Sequence, residues 1–253
     1  MRIPIVAISI VAVLTASAYT RPKTVTDPAK IAEIERNLGG RVTPPSNGKS
    51  VLIWDTTGKA QSAIEAFRRY DDKILHLPIS IKSGAAPRDL TCYQAAKSAR
   101  STQMPCVIYI FHTEGVPSLT IYPEEAIACV NVAAIRAPSD HLTEERLRKE
   151  IFRAFALALG GYTMPQMPCV LEPVYSPEAL DAVRSKTLAP VRFNGIIKSA
   201  NLLDIPILRS APYAIAVRQG WAPAPTNDIQ KAIWDKAHAE KERGPSNPIQ
   251  IKP

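Results

Sequence analysis

Residues 143–161 read TEERLRKEIFRAFALALGG. Leu147, Ile151, Phe155 and Ala158 recur at helical spacing and form an apolar stripe. Thr143 is placed to cap the start, and Glu144 and Glu145 fall in the first turn, where the helix dipole favours negative charge. Gly160-Gly161 ends the helix, because glycine takes the left-handed conformation at no steric cost. From Ile151 to Leu159 every residue except Arg153 is apolar, so this half of the helix is expected to be buried on nearly all sides. A guanidinium in that setting is costly unless it is paired. Two readings of Arg153 stand. It is buried and bonded to a carboxylate or to backbone carbonyls, with Glu150 and Glu172 as partners, or it snorkels to the helix edge.

Working back from this helix, apolar runs alternate with helical patterns. Val51–Trp54 reads as a buried strand, Ala60–Tyr70 as a helix and Ile74–Ile81 as a second strand. Leu90–Arg100 reads as a helix with Asp89 as its cap, and Val107–Phe111 as a third strand. Ser118–Tyr122 is read as an edge strand and Ile127–Ile135 as a central one. Strand–helix–strand alternation of this kind implies a parallel sheet with right-handed crossovers. After Gly161 the chain is proline-rich. Pro177–Arg184 reads as a short helix, Pro223 and Pro225 mark a stiff linker, and Asn227–Glu242 is amphipathic.

The ends and the composition bound the rest. Met1-Arg2, the apolar run Ile3–Leu14 and the small-x-small Ala16-Ser17-Ala18 read as a signal peptide over residues 1–18, so a secreted or periplasmic location is expected, with no membrane span after cleavage. Residues 19–48 form an extended lead-in, 49–220 the folded domain, and 221–253 the linker, the amphipathic helix and a flexible tail. Of 253 residues, 46% are hydrophobic and 21% charged, which excludes whole-chain disorder, collagen and coiled coil. The net charge of +8 is scattered, with no aromatic-interleaved basic stripe, so nucleic acid is not expected as a partner. Cys92, Cys106, Cys129 and Cys169 make an even count in an oxidising compartment; two disulfides then have three connectivities.

The segment Arg148–Arg192 resembles archaemetzincins, a family of zinc peptidases. Their signature is His-Glu-x-x-His-x-x-Gly-x-x-His-Cys, followed by a second motif with Cys-x-Met and a later Cys-x-x-Cys. Arg148-Lys149-Glu150 looks like the charged lead-in, and Leu159-Gly160 like the Leu-Gly after the second His. Cys169 falls on the Cys of the second motif and Leu171 on its Met. The chemistry is replaced. Arg153, Leu157 and Thr163 stand at the three zinc-ligand positions and Ala154 at the catalytic Glu. Met164, Ala189 and Arg192 stand where cysteines would hold a structural zinc. Gly160 and Cys169 are the retained motif positions. The resemblance implies an α/β metzincin-like zincin fold over the domain: a mostly parallel twisted sheet with an antiparallel edge strand and a long central helix, plus the Pro-rich C-terminal extension. Through the family strand order it also favours the pairs Cys106–Cys129 and Cys92–Cys169.

Zinc hydrolysis needs three ligands, an open position for water and a general base. None of those side chains is present at the expected spacing, so no zinc cofactor and no catalytic residue is expected. His112 with Glu114, just after the third strand, is the remaining candidate site. The favoured reading is a secreted, non-catalytic metzincin-like protein that binds an unidentified protein or peptide, an extended peptide by strand addition at the sheet edge being one mode. The alternatives are a hydrolase or metallopeptidase with an unconventional active centre and a structural cell-envelope protein.

Overall fold

Cys106–Phe111, the sequence CVIYIF, is buried along its whole length, as a strand must be when helices cover both faces of its sheet. The computed structural model describes residues 27–87, 89–163 and 168–242. The signal segment 1–18, Met164 and the tail beyond 242 lie outside the described residues. In chain order the elements are α1 Pro28–Asn37, β1 Arg41–Val42, β2 Val51–Asp55, α2 Gln61–Ile74, β3 Ile79–Ser83, α3 Cys92–Ala99, β4 Cys106–Phe111, β5 Leu119–Tyr122, β6 Ile127–Asn131, α4 Asp140–Ala158, α5 Ala179–Ala182, α6 Phe193–Leu202, β7 Ala211–Pro212, α7 Tyr213–Gln219 and α8 Asp228–Glu242. The main sheet runs β3-β2-β4-β6-β5. Its first four strands are parallel, and β5 lies antiparallel to β6 at the edge. The mostly parallel sheet expected from the sequence is therefore present.

The pleat divides the core between two faces. Val51, Ile53, Cys106, Ile108, Ile110, Ala128 and Val130 pack against α2 and α4, where Phe67 stacks edge-on to Phe152 at 5.0 Å between ring centres. Leu52, Trp54, Val107, Tyr109, Ile127 and Cys129 pack on the other face against Ala95 and Ala96 of α3. A smaller unit forms beside this sandwich. There β1 pairs antiparallel with β7, Gln230 of α8 donates to Gly39 O at 2.8 Å, and the fully buried Tyr213 donates its hydroxyl to Pro223 O at 3.0 Å.

Several local readings are corrected. The helix expected to end at Tyr70 continues to Ile74; the chain then turns through His76, which is left-handed at φ 61°, so the strand starts only at Ile79. Asp89, also left-handed, does not cap α3; Thr91 does, in a reciprocal capping box with Gln94. Ser139 rather than Thr143 caps α4, accepting from Leu142 N at 3.2 Å. β6 stops at Asn131 because that side chain ties down the following loops, accepting from Thr113 N and Ala133 N.

Both expected disulfides are overturned, and all four cysteines are free thiols. The β4–β6 register sets Tyr109, not Cys106, opposite Cys129. Cys106 therefore points into one face of the sheet and Cys129 into the other. The sheet likewise separates Cys169, on the α2–α4 side, from Cys92, on the α3 side. A disulfide cannot cross that distance.

Candidate functional site: a buried ion pair on helix α4

Glu150 and Arg153 lie one helical turn apart on α4, and both are buried. Arg153 donates from Nε to Glu150 Oε2 at 3.1 Å. One terminal nitrogen of the guanidinium donates to two backbone carbonyls, Val170 O at 2.9 Å and Glu172 O at 2.7 Å. The other carboxylate oxygen of Glu150 accepts from Ser118 Oγ at 3.0 Å, next to the start of β5. Arg153 thus joins α4 to the loop at residues 168–175, and Glu150 joins α4 to the sheet edge. Of the two readings of Arg153, the buried and bonded one holds. Glu172 serves as a partner through its carbonyl rather than its carboxylate.

Burial raises the pKa of Glu150, and the neighbouring Arg153 and Ser118 offset that only in part. A charged carboxyl at this depth depends on its guanidinium. Further along α4, Arg146 grips Asp181 with two nitrogens, at 2.8 and 2.6 Å, and this pairing holds the Asp181 carboxyl below its ordinary range. Lys149 donates to Leu180 O at 2.6 Å, and burial lowers its pKa. Arg146, Lys149 and Arg153 all hold the chain that follows this helix.

The other positions of the resemblance do not converge. Ala154 is fully buried in the core, and Leu157 is half-buried against it. Thr163 is exposed. Gly160 is left-handed at φ 73° and closes α4, with Gly161 N donating back to Ala156 O at 2.7 Å. Cys169 is buried and accepts from Leu171 N through its sulfur at 3.3 Å. Arg192 is buried and lies 4.2 Å over the ring of Tyr162. A guanidinium offers a metal no lone pair and a leucine offers none either, which leaves the one hydroxyl of Thr163 where three ligands are needed, so the donor set does not fit zinc. Among the described residues no group of three or more His, Cys, Asp or Glu is placed to hold a metal.

His112 and Glu114 do come together, but at the surface. His112 Nε2 lies 3.8 Å from Glu114 Oε1, Arg136 lies 3.9 Å from the same oxygen, and Glu114 is 77% exposed. Both side chains are open to solvent there. Ser118, Val170 and Asp181 were not read from the sequence as parts of the α4 cluster, because they lie 17 to 35 residues from their partners and no spacing rule connects them. Asp71 was also missed. It is buried, accepts from Leu77 N with one oxygen, and is pushed up to about 7, chiefly by burial.

The sequence matches no family model and no curated protein. Its structure is similar to that of archaemetzincin from Methanopyrus kandleri, with a TM-score of 0.50 at 15% identity over 62% of this chain and 98% of that one. The chain shares the archaemetzincin fold. Two further structures are similar at lower scores. A zinc-dependent peptidase from Methanocorpusculum labreanum gives a TM-score of 0.44 at 13% identity over 57% of this chain and 98% of that one. The archaemetzincin from Archaeoglobus fulgidus gives 0.42 at 13% over 58% and 99%. The archaemetzincin fold accounts for the mostly parallel sheet; β1, β7 and the helices around them stand beside that sheet. Among the described residues no helix is long and apolar enough to cross a membrane.

Proposed function

We propose that this chain is an exported, non-catalytic protein that uses the archaemetzincin fold to bind an extended peptide. The observation that carries the reading is the Glu150–Arg153 pair. At the positions aligned with the family's ligands and base, a fixed positive charge bonded to a carboxylate and two carbonyls stands in place of a metal-binding set. Fold alone does not give activity, and here the residues that would supply it are an arginine, an alanine, a leucine and a threonine. The binding surface in this reading is β5. Among the described residues it pairs only with β6, and its four residues are half-buried, so its outer edge offers backbone groups to an added strand. Export rests on the N-terminal charged, apolar and small-residue pattern.

Elemental mass spectrometry of the purified chain, after dialysis against a zinc buffer, tests the reading. Zinc far below one per chain, with no cleavage of an unstructured protein substrate, is the expected result. Near-stoichiometric zinc, or cleavage abolished by a chelator, overturns it.

A further inference from the structure

The four thiols take no part in the α4 cluster or in the His112–Glu114 pair, and the sheet divides them two and two. Cys106 and Cys169 lie on the face covered by α2 and α4. Cys92 and Cys129 lie on the face covered by α3. Cys129 is the third residue of β6 and fully buried. Cys92 is the first residue of α3 and half-buried, so of the two it is the one in contact with solvent. Both lie in the apolar cluster that packs α3 against β6, together with Tyr109 and Tyr122. On the other face Cys106 is fully buried, and the Cys169 sulfur accepts from Leu171 N–H at 3.3 Å. Of the three connectivities four cysteines allow, the topology therefore brings together a pair that belongs to neither of the two linkages expected from the sequence.

We propose that Cys92 and Cys129 are a dithiol that is oxidised to a disulfide by a low-molecular-weight disulfide such as oxidised glutathione, Cys92 attacking and Cys129 resolving. The roles follow from position. Cys92 follows the N-cap Thr91 directly, in the first turn of α3, and it is the half-buried member of the pair, the one a reagent can reach. Its thiolate attacks one sulfur of the reagent, the reagent's S–S bond breaks, and one glutathione leaves as thiolate. Cys129 passes its proton to that leaving thiolate or to water and attacks the Cys92 sulfur, which expels the second glutathione. Two thiols and one external disulfide become one protein disulfide and two free glutathiones, and the protein gives up two electrons. Burial keeps Cys129 protonated until this step, so the resolving attack is the slow one. The product staples α3 to β6 and closes the chain between them, which restricts the unfolded ensemble more than the native state.

The full chain, reduced and then incubated folded with oxidised glutathione, is the sample. It is alkylated before unfolding, then digested with trypsin and a glutamate-specific protease. The second enzyme is needed because no lysine or arginine lies between Cys106 and Cys129, whereas Glu114, Glu124 and Glu125 do. The thiol titre is expected to fall from four to two, with Cys92 and Cys129 in one cross-linked product, Cys106 and Cys169 alkylated only after unfolding, and a higher melting temperature that dithiothreitol reverses. Cys92→Ser, at a half-buried position, is expected to fold, to form no internal disulfide and to lose the redox dependence of melting. Four persistent thiols, oxidation that stops at a Cys92–glutathione adduct, or a link to Cys106 or Cys169 overturns the assignment. The zinc measurement above is independent of all these outcomes.

Discussion

Arg153 is stable inside the core only while its three acceptors hold it. Arg153→Met keeps the length and apolar volume of the side chain and removes the charge. Glu150 is then buried without a counter-ion, and its pKa, already raised by burial, rises further. A carboxyl whose folded pKa lies above its unfolded value loses stability as the pH rises through the folded pKa. Glu150 takes up a proton more readily at pH 5 than at pH 8, so the loss is expected to be smaller at pH 5 and at pH 8 to approach the ~3–5 kcal/mol typical of breaking a buried pair. Urea titrations at the two pH values measure this; a small loss that is the same at both would show that Arg153 carries no buried charge pairing. The nearer part of this cluster was legible. An arginine in an apolar run with a glutamate three residues before it announces a helical ion pair. The carbonyls of Val170 and Glu172 were not, because a main-chain acceptor leaves no mark in the side-chain sequence.

At the scale of the element, α4 shows how well a helix end can be read and how poorly a helix start can. Gly160-Gly161 after an apolar stripe is a stop signal, and Gly160 is left-handed there. At the other end Ser139, Thr143 and two glutamates are all acceptable near an N-terminus, and which one caps depends on the turn coming out of β6. β3 was misplaced for a related reason. Ile74, Leu75 and Leu77 fit either period, and only the left-handed His76 separates the helix from the strand. The stop is open to test. Gly160→Ala puts a Cβ into left-handed backbone, and that carbon would lie 2.8 Å from Ser199 Oγ on α6. The expected cost is about 1–2 kcal/mol from the backbone alone. Thermal melts of the variant measure it, and an unchanged midpoint would mean that α4 ends without the glycine's help.

For the whole molecule, the alternation of apolar runs with helical patterns was enough to imply the parallel sheet, because each strand buried on both faces must be apolar throughout. Which face each cysteine points into depends on register, which no local pattern records, and the disulfide pairing failed there. The same limit applies to the unit made by α1, β1, β7, α7 and α8, whose parts are far apart in the chain. Its key tie is Gln230, which is buried, donates to Gly39 O and accepts from both the N–H and the hydroxyl of Thr226. Gly39 leaves no room to compensate, since a Cβ there would lie 3.0 Å from that of Tyr213. Gln230→Ala strands a buried carbonyl and the Thr226 donors, a loss of ~1–3 kcal/mol for each group left without water. If this unit opens separately from the sheet, the loss appears only locally. Amide hydrogen exchange in the variant is expected to speed up at Ala214, whose N–H bonds Leu38 O, and in α7, while β4 keeps its protection. Faster exchange in β4 as well would mean that the unit and the sheet unfold as one, and that α8 is part of the stability of the archaemetzincin-like core rather than an addition beside it.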